Sequence, residues 1–585
     1  MFDTPHYVPF PVASQSPDPL GLATANTSLY RQVFPGINNR ARYIRVYSAL
    51  CWMVEQIWNT LSDDSTDEDI KAAFESGLQK IQLLLVWGNT RRKVPTLPGS
   101  QRVWPADDEP GTLSFAGMPT KAAYKLLAED EDSETKDGAT LLAPDEYAPS
   151  ATNGLGFLIR DEHLEGVYRT SEAGAVLAAA FEGHLVATLP QALSWLRDPH
   201  KVEASASKVD ELYEVLRLDA PTKVEQSAFA AQYFPGSLGP LTSRETVQRY
   251  LGLTLALRAI AAEQSITPAQ NRFIDVDHIR HAMARGLASD GTSLTTSDLV
   301  ETRRLWQSLQ VRQYLKLALE TLFRVCEHQI RHAVTKNYAL DETGNRVWAS
   351  RDIGDIAQKV GELAKSNFPG QQGVSIEELL TTNFPAKGQI PSLYVAGASS
   401  TDLDIRSNLA ELKRLSTFTQ SSGKEGLAAG GALYALLWCA VEAHYLPAES
   451  LDEHGDRLSF ALLKVLTDEF SKASPAEFVA TIARDYVINL HFDVVRERTE
   501  DDINARKTPK DRYRILVGDY GLEPGLNRRE ALSKPFVLED VLLHALYFMT
   551  QIGLLLQKEK GRKEFRLTAE GERRAAQHVP DRGIL

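Results

Sequence analysis

Apolar positions along this chain follow helical spacing almost throughout, and strict alternation is scarce. Near the start, Phe34-Pro35-Gly36 marks a turn. After it, Tyr43, Ile44, Val46, Tyr47, Ala49, Leu50, Cys51, Trp52, Met53, Val54, Ile57 and Trp58 predict a helix that is apolar on every side. A helix of that kind is buried, so it is expected at the centre of the fold. Residues 64–87 carry a second helical pattern, and a Gly/Pro-rich loop follows over 88–111. Further helices are predicted over 209–218, 243–264, 298–334, 353–365, 403–415, 424–444, 457–470 and 475–498. The 298–334 segment opens with Asp298 and Glu301 as a capping box and would span roughly 55 Å unbroken. Polar stretches at 341–352, 366–374 and 382–400 read as loops.

Two stretches leave the helical pattern, and they do so in the same order. In residues 156–182, Phe157-Leu158-Ile159 predicts a strand, Gly166 a turn and Val167-Tyr168-Arg169 the return strand. Ser171 can then cap a helix with Glu172 in its first turn. Residues 553–577 repeat this with a turn at Gly561, a strand at Glu564-Phe565-Arg566 and a cap at Thr568. Tyr168-Arg169-x-Ser171-x-x-Gly174 aligns with Phe565-Arg566-x-Thr568-x-x-Gly571. The order strand, wing, strand, helix resembles the end of a winged-helix module. The fold class expected is therefore mainly α: a multi-lobed helical protein with two small winged-helix-like modules. The segments read as a helical domain over 1–110, a winged-helix-like module with an acidic insertion over 111–190, helical domains over 191–340 and 341–530, and a second module over 531–585.

Composition narrows the setting. A chain of 585 residues is too long for one core. Its net charge of −13 means that nucleic acid could be met only by a local basic patch. Cys51, Cys326 and Cys439 all lie in apolar helical contexts, which suits reduced thiols in a cytoplasmic protein. Residues 1–15 have neither a basic n-region nor an apolar h-region, so no signal peptide is expected. The apolar run over 427–441 falls short of the ~20 residues that span a bilayer, so no membrane partner is expected.

Candidate chemistry is sparse. No Walker A sequence, GxSxG elbow, dinucleotide fingerprint or CxxC pair occurs. His328 and His332 stand at i, i+4, but Glu327 precedes the first histidine where a zincin places its glutamate after it. His278 and His281 have no third ligand in sight, so no metal site is expected. Asp485, Asn489 and Asp493 are spaced to share one helix face beside His491. Asp485, His491 and Asp493 are thus the first catalytic candidates, able to hold Mg²⁺ or supply a general base. They are equally able to form a salt-bridge ladder with Arg484 or Arg496. No cofactor is expected, with Mg²⁺ reserved for the case that the chain is an enzyme.

Two basic clusters suit DNA. Lys558, Lys560, Arg562, Lys563 and Arg566 crowd the C-terminal wing, whereas the matching turn of the first module, Asp161 to Gly166, is acidic. Lys507, Lys510, Arg512 and Arg514 form a second basic loop around Tyr513. Arg40, Arg42 and Arg45 stand at the entrance of the apolar helix, where they oppose its dipole. An internal carboxylate is the expected partner there, and a bound phosphate is the alternative.

The run VFPGINNRARYIRVYSALCW, within residues 19–58, resembles the opening of a family of uncharacterised bacterial proteins. In that family a Phe-Pro-Gly turn is followed by an Arg-x-Arg-Tyr helix start, matched here by Phe34, Pro35, Gly36, Arg40, Arg42 and Tyr43. Those proteins are encoded beside helicases and nucleases in antiphage defence gene clusters. The resemblance implies a setting and no catalytic motif. The expected function is a DNA-binding or scaffold subunit of such a system, with DNA and proteins of that system as partners. A nuclease or DNA glycosylase, and an adaptor that binds only proteins, remain alternatives.

Overall fold

The computed structural model describes residues 12–13, 18–94, 97, 112–114, 141–142, 146–266, 272–335, 338–340, 343, 346–384, 410–444, 446, 457–506, 509–525, 531–537, 540–559 and 562–579. It is mainly helical, with short strands in two- and three-stranded sheets. The chain divides into two units, each assembled from separated stretches. Unit one is Met1–Tyr30, Arg280–Leu287 and Arg303–Glu539; unit two is Arg31–Ile279, Ala288–Thr302 and Asp540–Leu585.

Unit two is organised on the helix Ile44–Thr60, which is buried from Ile44 to Val54 as its all-round apolar pattern requires. The helix Asp67–Arg91 lies against it and starts at a complete capping box between Thr66 and Asp69. It runs through Gly88, which the sequence assigns to a loop. Asp298 precedes the long helix Val300–Thr335. It is held within unit two by the Arg258 guanidinium and by the N–H of Val579 at 2.9 Å. Burial pushes the Asp298 carboxyl up, but those hydrogen bonds outweigh it and hold it at about 2.

Unit one is built around the long helix, with Ile353–Ser366, Glu425–Ala443, Phe460–Glu469 and Pro475–Ala483 sharing its apolar core. Tyr314 meets Trp438 edge to face at 4.7 Å. Residues 475–498 are predicted as one helix, but a π-helical turn, Arg484–Asn489, separates Pro475–Ala483 from Leu490–Asn504. Among the described residues, Glu425–Ala443 is by itself long and apolar enough to cross a membrane, and 89% of its apolar window is buried. The pair Glu172–Thr188 and Pro190–Arg197 passes that test only if joined, and it bends by 113°. Cys51, Cys326 and Cys439 are free and buried, and burial pushes each thiol up.

Candidate functional site

The two stretches that leave the helical pattern form hairpins of matching register among the described residues. Leu158–Arg160 pairs antiparallel with Tyr168–Thr170, and Leu555–Gln557 with Glu564–Leu567. The registers correspond: Leu158 faces Thr170 as Leu555 faces Leu567, and Ile159 faces Arg169 as Leu556 faces Arg566. At the tip, the N–H of Asp161 reaches Val167 O at 3.0 Å and that of Lys558 reaches Glu564 O at 3.1 Å. At the base, the N–H groups of Ser171 and Thr568 bond Phe157 O and Leu554 O, each at 3.0 Å. The same two hydroxyls cap the next helices, accepting from Gly174 N and Gly571 N at 3.1 Å. A Cβ at Gly174 would lie 2.0 Å from Phe157 O, and one at Gly571 would lie 2.2 Å from Leu554 O. Only glycine permits that approach of helix to strand.

Both modules grip the entrance of the Ile44–Thr60 helix from matching positions. Tyr147 Oη accepts from the N–H groups of Arg42 (3.0 Å) and Tyr43 (3.2 Å). His544 donates through Nδ1 to Ala41 O at 3.0 Å. Gln551 adds a carbonyl for Ile44 N at 3.0 Å. The N–H groups of Arg42, Tyr43 and Ile44 at the helix entrance are therefore taken by side chains, where a phosphate would need them free. Below them, Arg45 and Glu225 form a fully buried ion pair at 2.9 Å, and Arg45 also donates to Ala220 O at 2.7 Å. Glu225 is the internal carboxylate that the entrance arginines imply, and it serves Arg45. Arg42 lies over the Tyr547 ring at 5.7 Å. Burial, with Arg42 nearby, pushes the His544 imidazole down to about 4, so it is neutral.

The hairpin tips differ in charge. In the first, Asp161 accepts from His163 N (3.0 Å) and Leu164 N (3.2 Å), and these bonds hold its carboxyl low. In the second, Lys558 pairs with Glu564 at 3.0 Å and Arg562 with Glu559 at 3.4 Å. Their side chains remain 50% and 67% exposed. Arg566 lies over the Phe273 ring at 5.1 Å, as Arg169 lies over Trp58 at 4.0 Å. Lys560 and Gly561 lie outside the described residues.

The catalytic candidates are not brought together as a working set. His491 is fully buried; its Nδ1 donates to Pro19 O at 3.0 Å and its Nε2 accepts from Arg514 N at 3.1 Å. Burial pushes it down to about 4, and with both nitrogens occupied it fixes the fold. Asp485 pairs with Arg484 at 2.8 Å and Asp493 with Arg496 at 2.9 Å. The π-helical turn Arg484–Asn489 carries Asp485 and Asn489, while Asp493 lies on the α-helix Leu490–Asn504. The basic loop is also mainly structural where it is described. Arg512 pairs with Asp502 at 2.5 Å and Arg514 with the buried Glu327 at 2.7 Å. Lys507, and the side chain of Lys510, lie outside the described residues. His328 is buried, with Nε2 3.1 Å from Gln420 O. Among the described residues, no group of three or more His, Cys, Asp or Glu could hold a metal ion.

A cleft of about 520 Å³ opens in unit two beside Trp52, Glu55, Asn59, Ala178 and Glu182. Glu55 is engaged by Thr170, and Glu182 by Trp52 and Arg197, so neither carboxylate is poised as a base. No protein family, curated protein or solved structure matches this chain.

Proposed function

We propose that this chain is a non-catalytic binding subunit whose C-terminal hairpin contacts the backbone of duplex DNA, in an antiphage assembly that includes a separate helicase or nuclease. One observation carries the reading: two hairpins of one register and one capping scheme present tips of opposite charge. When a hairpin is repeated and its exposed tip changes charge, the tip is where partners are distinguished. The C-terminal hairpin is joined by Ile274–Asp275 into a three-stranded antiparallel sheet, with Gln264 of the helix Arg244–Ser265 bonding Leu567 N at 3.3 Å. That sheet order supports a winged-helix reading of the module.

The helix before this wing, Leu542–Gln551, is buried on most of its surface, and His544 and Gln551 are committed to the Ile44–Thr60 entrance. It has no free face to lay in a major groove. DNA would then be met through Lys558, Lys560, Arg562 and Lys563, which position a protein on phosphates without reading bases. The acidic chain needs such a local cationic finger to approach DNA.

The test is duplex binding over a range of salt by the full chain and by Lys558→Gln/Lys560→Gln/Arg562→Gln/Lys563→Gln. Affinity should fall alike for all duplexes, and the log–log salt slope should drop by roughly 0.9 for each phosphate no longer neutralised. A second reading, docking of protein alone, is favoured by the matching exposed apolar residues Ile159 (54%) and Leu556 (42%) on the two hairpins. Unaltered affinity and slope in the fourfold variant would select that second reading.

A further inference from the structure

On the long helix of unit one, Lys316, Glu320, Arg324, Glu327 and Arg331 follow one another at spacings of three and four residues, which places them along one face. All five are buried. Burying a row of charges is costly unless each meets a partner. Here the partner is largely the main chain of residues 531–537, a stretch that belongs to no helix or strand. Arg331 Nη2 donates to Ala531 O at 2.9 Å, and Arg514 Nη2 donates to the same oxygen at 2.9 Å. Glu327 accepts from Ser533 N at 2.6 Å, and Arg324 donates to Ser533 O. Glu320 accepts from Phe536 N at 3.0 Å, and Lys316 donates to Phe536 O at 2.8 Å. The stretch thus runs antiparallel to the helix. From Ala531 to Phe536 five extended steps span roughly 17 Å, and from Lys316 to Arg331 fifteen helical steps span roughly 22 Å, a difference long side chains bridge.

What is read is the peptide backbone. The Ser533 hydroxyl is buried yet makes no hydrogen bond among the described residues, while its N–H and carbonyl are both met. Pro535, whose nitrogen has no proton to give, falls where no contact of this kind is made. Side-chain anchorage is modest: Leu532 and Val537 pack half-buried on the core, and Phe536 lies with its ring centroid 3.4 Å from Lys316 Nζ. The stripe also keeps its own pairs, Lys316–Glu320 at 2.7 Å and Glu327–Arg514 at 2.7 Å. Those two pairs do not depend on residues 531–537 and persist when the segment leaves.

We infer that this face of the long helix is a binding groove for an extended polypeptide, and that residues 531–537 occupy it as a detachable strap. Main-chain hydrogen bonds supply affinity for any extended segment. The competing ligand is therefore a partner's extended peptide with a small residue at the place of Ser533 and an aromatic at the place of Phe536.

Two measurements on the full chain test this. In native-state hydrogen exchange, the amides of Ser533 and Phe536 should exchange at least roughly a hundredfold faster than those of Phe323 and Cys326 in the core of the long helix, because the strap opens locally. A labelled peptide with the sequence of residues 531–537 should bind saturably to the Phe536→Gly chain, whose strap lacks its ring over Lys316. N-methylation of the peptide at its Ser533 and Phe536 nitrogens should abolish that binding. Exchange of the two amides only at the rate of global unfolding overturns the inference. So does failure of the peptide to bind a Phe536→Gly chain that still melts cooperatively. If that variant does not fold, the exchange measurement on the unaltered chain decides.

Discussion

The hairpin over residues 158–170 and the one over 555–567 share register, tip bond, cap and helix-to-strand approach, yet they grip the central helix through different chemistry. Tyr147 accepts from its entrance N–H groups; His544 donates to the carbonyl just before them. A phenol and a neutral imidazole both satisfy the entrance, but only the imidazole can gain a proton on acidification. The tips differ too, acidic in one and cationic in the other. A repeated backbone thus preserves geometry, while single side chains at the grip and the tip set how each copy responds to its surroundings.

The largest expected effect strikes what both copies hold. Arg45→Ala or Glu225→Ala leaves a buried charge unmatched and should cost about 3–5 kcal/mol in denaturant unfolding. Unit two should lose stability as a whole, so melting followed near either hairpin should shift together. A shift confined to one hairpin would break the view that both depend on the same entrance.

Next come the glycines. Gly174→Ala and Gly571→Ala each force a Cβ against a strand carbonyl and should destabilise by about 3 kcal/mol, the upper range for overpacking. Equal losses would sharpen the equivalence of the two copies; a neutral substitution at one would break it.

Acid should separate the copies. His544 has a folded value of about 4, below its ordinary 6.5, so the unfolded chain takes up the proton first as pH falls. Stability is therefore intact above 6.5 and is lost as pH drops from 6.5 towards 4, by up to about 3 kcal/mol. His491 in unit one acts with the same sign, so the comparison is between the natural chain and His544→Asn. The variant should show a shallower loss between pH 7 and 4.5 by chemical denaturation; an identical pH profile would refute the role. Tyr147 cannot mirror this, because burial pushes its phenol further up from its ordinary value.

Smaller effects lie at the caps and tips. Ser171→Ala and Thr568→Ala should each cost about 1 kcal/mol, read as matched falls in melting temperature. Exchanging Asp161→Asn and Glu162→Gln should leave duplex affinity unchanged, in contrast to the fourfold change at the C-terminal tip. Weakened DNA binding by the acidic-tip variant would overturn the division of labour between the tips.

Helical periodicity by itself determined that the chain is mainly helical and that Ile44–Thr60 is buried, since an all-apolar helix has no face to give to water. The Ser/Thr-x-x-Gly spacing likewise carried both hairpin-to-helix junctions, because the cap and the close approach are local. Long-range partners had no such local signal. Nothing in sequence links Arg45 to Glu225, Tyr147 and His544 to one entrance, or the stripe from Lys316 to Arg331 to residues 531–537. His491 and Arg514 looked available for chemistry or DNA because a sequence does not reveal burial; packing supplied their carbonyl and carboxylate partners and committed them to the fold. The π-helical turn at Arg484–Asn489 was hidden for the same reason: one extra residue in a turn leaves apolar spacing nearly unchanged, and only tertiary packing decides where it is accommodated.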